Sequence, residues 1–288
     1  MFLSYFCFLY SKPLILFYNP KSGRFNSRKL ERIYNFFSGE FGNCILISNP
    51  EYLKKIRNAH ILSVGGDGTF HIAINHADLE SNTFSCIALG SGNDFITGFP
   101  RRGLEVLALR IMQNLEQKVD VINCNGVYVH NIAGIGFEAL IAQKAHEKNY
   151  GIPALKYIIP VVRNLFSFKP ITIEFYSTDF QYNGKAFMLS MGNGKRAGGG
   201  FKLFPKANIR DGLMDILLIK PPGIFQKLRY VWLVNFGKHL NLRIIEYRQI
   251  KECKITLPYP QKFEADGDMY VAQELRVAVM PELLKVIQ

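Results

Sequence analysis

Three short segments combine glycine with hydroxyl, amide or carboxylate side chains in a way suited to holding phosphate. They are Asn19-Pro20-Lys21-Ser22-Gly23, Gly65-Gly66-Asp67-Gly68-Thr69 and Gly90-Ser91-Gly92-Asn93-Asp94. Glycine lets main-chain N–H groups approach a phosphate closely, and a helix that starts there favours negative charge. Each segment alone also fits a plain strand-to-helix turn, where Gly, Asn and Asp serve as turn and cap residues. Gly66 to Thr69 leads directly into a helical stretch, Phe70–Ala77, and is the best phosphate candidate. Asp67, Asp94 and Asp120 make no sense in a simple anion hole, because carboxylates repel phosphate. They make sense if Mg²⁺ stands between them and the phosphate oxygens. Phosphoryl transfer needs that metal, positive charge on the phosphates and a base near the acceptor hydroxyl. Two later acidic turns, Asn208–Asp215 and Glu264–Asp268, offer further carboxylates. Asp-Gly is also a common hairpin signal, so either can be a plain turn.

The elements that must position these residues follow an alternating pattern over the first 120 residues. Short, nearly continuous apolar runs at Leu14–Tyr18, Cys44–Ile47, Ile61–Val64 and Cys86–Leu89 predict parallel strands buried on both faces. Ser27–Phe37, with Leu30, Ile33, Tyr34 and Phe37 on one face, and Leu104–Leu115 predict helices between or after them. Repeated β-α-β implies a doubly wound Rossmann-like sheet, and its strand carboxyl ends form the ligand crevice. The three glycine segments all fall at such ends.

After about Asp120 the chain reads as β-rich and antiparallel. Its predicted strands are Val127–Ile132, Ile171–Tyr176, Ala186–Met191, Met214–Ile219, Lys254–Leu257 and Leu275–Met280. Its predicted helices are Phe137–Lys144, Leu155–Phe166 and Phe225–Phe236. The fold class is therefore α/β, with a nucleotide-binding domain over 1–122 and a β-rich antiparallel sandwich domain over 123–288. The final residues have room to return to the first domain.

Composition supports a folded protein: 288 residues, 48% hydrophobic and 20% charged. Met1–Phe17 is apolar, but Ser4, Ser11, Lys12 and Pro13 break it, and the expectation is neither a transmembrane helix nor a signal peptide. Five cysteines without C-x-x-C spacing predict buried thiols in a reducing compartment, hence a cytoplasmic protein. The net charge is +12, and Lys195 to Lys254 holds thirteen Lys/Arg against four Asp/Glu. Candidate partners for that excess are an anionic membrane surface, a polyphosphate or nucleic acid, and a solvated basic face needs no partner. No nucleic-acid-binding signature accompanies it, so nucleic acid is not expected.

Taken together, N-P-x-S-G at 19–23, G-G-D-G-T at 65–69, G-S-G-N-D-F at 90–95, Val119-Asp120, Gly192-Asn193-Gly194, Gly198–Gly200, Pro205, D-G-L-M-D at 211–215 and D-G-D at 266–268 resemble one family in its own order. It is the diacylglycerol kinase/sphingosine kinase catalytic-domain family, nearest its bacterial soluble lipid kinases. G-G-D-G-T is shared with NAD kinases, whereas G-S-G-N-D-F and the 192–215 block favour lipid kinase. The resemblance implies ATP held by Asn19, Pro20, Lys21, Ser22, Gly23, Gly66, Asp67, Gly68, Thr69, Phe70, His71, Ser91 and Asn93, with a lesser contact from Ser48. It implies Asp67, Asp94 and Asp120 as an acidic network around a catalytic Mg²⁺. A second, structural Mg²⁺ would sit on Asn208, Asp211 and Leu213, the outer two through main-chain oxygens. Asp268 would be the general base that deprotonates a lipid hydroxyl. The family usually has Glu there, so this carboxylate starts on the order of 1.5 Å further back. Ser91 stands where many relatives have Thr.

The resemblance also implies a possible homodimer. The alternatives are an NAD kinase-like small-molecule kinase and a non-catalytic nucleotide-binding regulatory protein. His71 and His76 lack the spacing of a helical zinc pair and read as packing residues. His130 has no carboxylate or cysteine beside it in sequence and reads as an ordinary core or surface histidine.

Overall fold

A computed structural model describes residues 12–22, 25–89, 93–99, 102–147 and 153–288. The chain divides into two compact units, Met1–Val119 with Glu282–Gln288, and Asp120–Pro281.

The first unit is a parallel sheet of β1 (Leu14–Tyr18), β2 (Cys44–Ile47), β3 (His60–Gly65) and β4 (Thr83–Ala88). The strands lie in the order β4-β3-β1-β2, with Leu16 beside both Leu46 and Leu62, and Ile61 beside Phe84. The apolar runs of β1, β3 and most of β4 are buried because helices cover the sheet. Helix α1 (Ser27–Phe41) turns Leu30, Ile33 and Phe37 onto Leu14, Leu16, Leu62 and Val64, and α3 (Leu104–Met112) adds Leu107, Ala108 and Ile111. Truncating Phe37, fully buried at this contact, to Ala costs about 3–5 kcal/mol. The α1 start is set by Asn26, whose side-chain oxygen accepts the Lys29 N–H at 2.9 Å. Helix α2 (Asp67–His76) follows β3 at once.

The chain end belongs to this unit. Val286 pairs in parallel with Phe84, and Ile287 donates its N–H to Phe84 O at 2.8 Å. One expectation fails here. β2 is an edge strand with Ile45 and Leu46 exposed, not a strand buried on both faces. Its apolar run reflects β propensity and cannot report position in the sheet.

The second unit is antiparallel. After β5 (Gln117–Cys124), which enters it at Asp120, come β6 (Val127–Val129), β7 (Ile132–Gly136), β8 (Ile171–Tyr176), β9 (Gln181–Ala186) and β10 (Met188–Gly192). They are followed by β11 (Met214–Ile219), β12 (Ile245–Ile250), β13 (Glu252–Ala265) and β14 (Asp268–Val286), whose last residues pass into the first unit. The path runs β12-β11-β10-β7-β13-β14, with β8 and then β9 on the side of β13, and β6 on β5. Ile135, Leu189, Ile216, Ile255, Phe263 and Leu275 form the centre of one core. A second core lies under α4 (Phe137–Glu147), α5 (Pro153–Asn164) and α6 (Ile224–Val234), built on Phe137, Phe187, Leu217, Tyr230 and Val234.

Two expected strands are each split. Val127–Ile132 breaks at His130-Asn131, where Asp266 captures three successive N–H groups. Ala186–Met191 breaks at Phe187, whose ring stacks on Phe137 at 4.6 Å while its N–H bonds Ile219 O. Strands β9 and β12 were not anticipated, because QYNGKA and IEYRQI alternate polar residues without an apolar run. Among the described residues the cysteines are free thiols, with Cys86, Cys124 and Cys253 buried and Cys44 half-buried. Burial pushes the Cys44 thiol up to about 11 and Cys86 well above the ordinary thiol value.

Candidate functional site

The first unit gathers its polar residues at the carboxyl ends of β1, β3 and β4. A shallow cleft open to solvent is lined by Asn19, Ser22, Phe25, Val64, Gly65 and Leu89, among others. Asn19 shapes its own turn: its Oδ1 accepts the Lys21 N–H at 2.9 Å and its carbonyl the Ser22 N–H at 3.1 Å. Pro20 and Lys21 are exposed on that turn. Phe25 stacks on Tyr18 at 5.7 Å, giving the cleft an aromatic wall.

Gly65 must be glycine for a local reason. A Cβ there would collide with the Thr69 side chain, which folds back over the loop as α2 begins. Gly66 caps α2, its carbonyl accepting the N–H groups of Thr69 at 3.0 Å and Phe70 at 3.2 Å. Asp67 is the first residue of the helix, where the backbone dipole favours a carboxylate. Its Oδ2 accepts the backbone N–H of Asp94 at 2.6 Å, which ties the glycine loop to the turn after β4. Aromatic packing fixes that turn: Phe95 stacks on Phe70 at 5.7 Å and meets Phe99 edge-on at 5.4 Å.

Thr69, Phe70 and His71 are buried. The Asn75 amide donates to His71 O at 2.9 Å. Ser48 is exposed just beyond β2 and does not line the cleft. Gly23 and Ser91 lie outside the described residues, as do Gly90 and Gly92; Asn93 opens the described turn that holds Asp94.

The second unit holds a polar network built on Asp120 and Asp266. Asp120 is buried on β5; its Oδ2 accepts the Gly212 N–H at 2.8 Å and its own N–H bonds Ile209 O at 2.7 Å. The Asn208–Leu213 loop is thereby fastened to β5. Within it Asp211 Oδ1 accepts the Leu213 N–H at 3.1 Å, with Asn208 and Asp211 exposed and Leu213 half-buried. The donors on offer are carboxylate, amide and carbonyl oxygens, which suit a hard cation such as Mg²⁺. At the start of β11, Asp215 is buried and receives the Tyr247 hydroxyl, and burial lifts its carboxyl to about 6 despite that bond.

The acidic turn 266–268 is a two-residue hairpin between β13 and β14, with Asp266 and Gly267 both at positive φ (50° and 95°). Asp266 turns inward. Its carboxylate accepts the N–H groups of His130, Asn131 and Ile132 at 2.8–3.0 Å, and His130 Nδ1 lies 2.6 Å from Oδ2, both side chains fully buried. Asn193, in the 192–194 segment, completes the frame by donating to Asp120 O at 2.8 Å and His130 O at 2.9 Å. Asp268, two residues on from Asp266, is exposed.

Sequence reasoning treated His130 as ordinary, since its carboxylate partner is 136 residues away. It also missed a buried acidic pair beside the hairpin. Burial lifts Glu264 to about 8 and Glu138 well above the ordinary carboxyl value, each raised further by acidic neighbours, and Ser190 donates its hydroxyl to Glu138. The only sequence signal was Gly134, where a Cβ would collide with the Glu138 carboxylate.

A glycine loop on an α/β sheet, followed by an antiparallel unit with acidic turns, defines the architecture that diacylglycerol kinases and NAD kinases share. Family models for the "Diacylglycerol kinase catalytic domain" and the "YegS C-terminal NAD kinase beta sandwich-like domain" match residues 13–124 and 131–288. The chain belongs to this diacylglycerol kinase/YegS family of bacterial lipid kinases, and it is a kinase by that membership. It is similar to "Probable lipid kinase YegS-like" of Xanthomonas oryzae pv. oryzae, 29% identical over 78% of this chain and 77% of that one. It is also similar to "Diacylglycerol kinase" of Bacillus subtilis, 28% identical over 72% and 70%. A crystal structure of a diacylglycerol kinase from Bacillus anthracis shares the fold, with a TM-score of 0.71 at 20% identity and 96% of each chain covered. An NAD kinase from Archaeoglobus fulgidus shares it more distantly, at 0.53 and 12% identity over 95% of this chain and 93% of that one.

Proposed function

We propose that this protein transfers the γ-phosphoryl group of ATP, with Mg²⁺, to the hydroxyl of a diacylglycerol-like lipid. The observation that carries the reading is the joining of Asp67 to the Asp94 turn at the start of α2, within a chain of the lipid-kinase family. The Asn19–Gly23 turn, the Gly66–His71 main chain, Ser91 and Asn93 bind the nucleotide, and Ser48 contributes at the rim. Main-chain N–H groups at the start of α2 take phosphate oxygens. Asp67, Asp94 and Asp120 would hold the catalytic Mg²⁺, and Asn208, Asp211 and Leu213 a structural one. The metal supplies neutralisation of phosphate charge. Asp268 accepts the proton of the lipid hydroxyl, and Asp266, fixed by His130 and three backbone N–H groups, sets its position.

The lipid resides in a membrane, and the protein works there as a peripheral enzyme on the cytoplasmic side. No helix among the described residues is long and apolar enough to cross a membrane.

The test is transfer of label from γ-³²P-ATP with Mg²⁺ to a panel of diacylglycerol, phosphatidylglycerol, a sphingoid base, a polyprenol and NAD. The reading predicts a labelled lipid, with diacylglycerol giving phosphatidic acid. Label in NAD alone would assign the protein to small-molecule phosphorylation. ATP binding without label in any acceptor would make it a regulatory module.

A further inference from the structure

Helix α6 has two apolar faces, and the core uses one of them. Tyr230 and Val234 point inward and are buried, while Val231 packs at their edge. Phe225, Leu228, Trp232 and Phe236 fall three and four residues apart on the opposite side, where Phe225 is 87% and Trp232 67% exposed. Trp232 and Phe236 hold each other, ring to ring, at 5.5 Å. The helix start beneath them is fixed, since the Gln226 side chain accepts the Gly223 N–H at 2.8 Å.

Helix α5 repeats the pattern. Ile158 and Val162 on the helix and Phe166 two residues past its end, each four apart, stand exposed, Val162 at 62%. The end of the α5 stripe lies near the inner edge of α6: the Lys227 ammonium is 5.9 Å over the Phe166 ring and 5.3 Å from the buried Phe187 ring. Large aromatic side chains left this exposed at helical spacing mark a surface that meets more than water.

Charge identifies what covers it. Between Ile216 and Ile245 there is no Asp or Glu, and none between Pro153 and Pro170. The same stretches carry Lys227, Arg229 and Lys238, and Lys156, Arg163 and Lys169. Aromatic and aliphatic side chains bordered by Lys and Arg, with no carboxylate, match the boundary between acyl chains and anionic headgroups. The aromatic side chains would suit a protein partner too, but Lys156, Lys169, Lys227 and Lys238 would not, since lysine is depleted where proteins meet.

We propose that the outer faces of α5 and α6 insert into an anionic lipid bilayer, with Phe225, Leu228, Trp232, Phe236, Val162 and Phe166 among the acyl chains. This deepens the lipid-kinase reading, on which it rests for the presence of a membrane-borne substrate. It goes beyond a merely basic region by locating an apolar anchor and adding α5 to it.

Trp232 is the one tryptophan of the chain, so its fluorescence reports on this face alone. The full chain is mixed with phosphatidylcholine vesicles with and without phosphatidylglycerol, some with brominated acyl chains. The expected result is a blue-shifted emission quenched by the bromines, with partitioning at least about tenfold stronger onto the anionic vesicles. Phe225→Asp and Leu228→Asp should each weaken partitioning by about tenfold or more while leaving the thermal midpoint unchanged, because both side chains are exposed.

Binding to vesicles with unchanged Trp232 emission would overturn the proposal by placing the contact elsewhere, and so would failure to bind. A blue shift that grows with protein concentration in the absence of vesicles, with a doubled mass by light scattering, would assign the face to a second copy. The readout is independent of catalysis. Label transfer to a water-soluble, short-chain diacylglycerol with a silent Trp232 sinks this inference alone, and insertion without transfer to any lipid sinks the kinase reading alone.

Discussion

The carboxylate of Asp67 accepts the backbone N–H of Asp94 at 2.6 Å, across 27 residues of chain. One oxygen thus fixes the geometry of two acidic positions, one opening α2 and the other following β4. An amide at position 67 can still accept the N–H through its oxygen, but it carries no charge for a cation. Asp67→Asn should therefore still fold, with a thermal midpoint lowered by only a few degrees, and lose phosphoryl transfer by about a thousandfold. Steady-state rates beside a thermal melt check this, and full activity in the variant would refute the acidic-network assignment.

Asp268 stands on the rigid hairpin turn where the family usually has Glu. Asp268→Ala should lower kcat by about 10²–10⁴-fold with little change in the KM for ATP, as expected when a base is removed. Asp268→Glu restores the longer side chain and should retain or exceed wild-type activity. A kcat unchanged in Asp268→Ala would remove the residue from the chemistry.

Asp266 has a structural task beside it. Truncation to Ala strands three backbone N–H groups and the buried His130 ring without their acceptor. Removing one partner of a buried, hydrogen-bonded charge costs about 3–5 kcal/mol. Urea unfolding should show Asp266→Ala destabilised by that order, and Asp266→Asn by less because one acceptor oxygen remains.

Glu264 predicts a pH dependence whose sign can be worked out. Burial raises its carboxyl to about 8 in the folded chain, from an ordinary value of 4.5. Between these limits the folded state binds more protons than the unfolded one, so the group's contribution is full below about 4.5 and is lost as pH rises towards 8. Glu264→Gln stays neutral throughout. The stability of the variant relative to wild type should rise from pH 5 to pH 9, and denaturant midpoints measured in parallel report it.

His60 shows the opposite sign. It is fully buried between the Thr83 and Ser85 hydroxyls, at 2.8 and 2.9 Å, and burial lowers its pKa to about 3. Its neutral ring adds stability that is present above 6.5 and is lost as pH falls towards 3. An NMR titration should find this imidazole neutral at pH 5, and a ring that protonates near 6.5 would contradict the burial argument.

Much of this molecule is legible in its residue pattern. The runs LILFY, CILI, ITIEFY and MDILLI mark β1, β2, β8 and β11 to the residue, because short apolar-rich runs bounded by glycine, proline or polar residues have few alternatives. The turn at Asn19 and the loop at Gly66 follow β1 and β3 directly, as their positions after such runs imply. Polar strands such as β9 and β12 are held by neighbours far away in sequence, and no local pattern announces them. The same limit hid Asp266 with His130, and Glu138 with Glu264, whose pairing exists only once β7, β13 and α4 are packed. The edge position of β2 is likewise set by what fails to cover it.

The central claim is that Asp67, at the start of α2, serves Mg²⁺-dependent transfer of phosphate from ATP to a lipid hydroxyl. The most direct measurement follows label from γ-³²P-ATP into diacylglycerol and NAD, side by side, for wild type and Asp67→Asn with and without Mg²⁺. The account predicts labelled phosphatidic acid from the wild type with Mg²⁺ only, and about a thousandfold less from the variant. Labelled NAD with unlabelled lipid, or equal lipid labelling by both proteins, would contradict it.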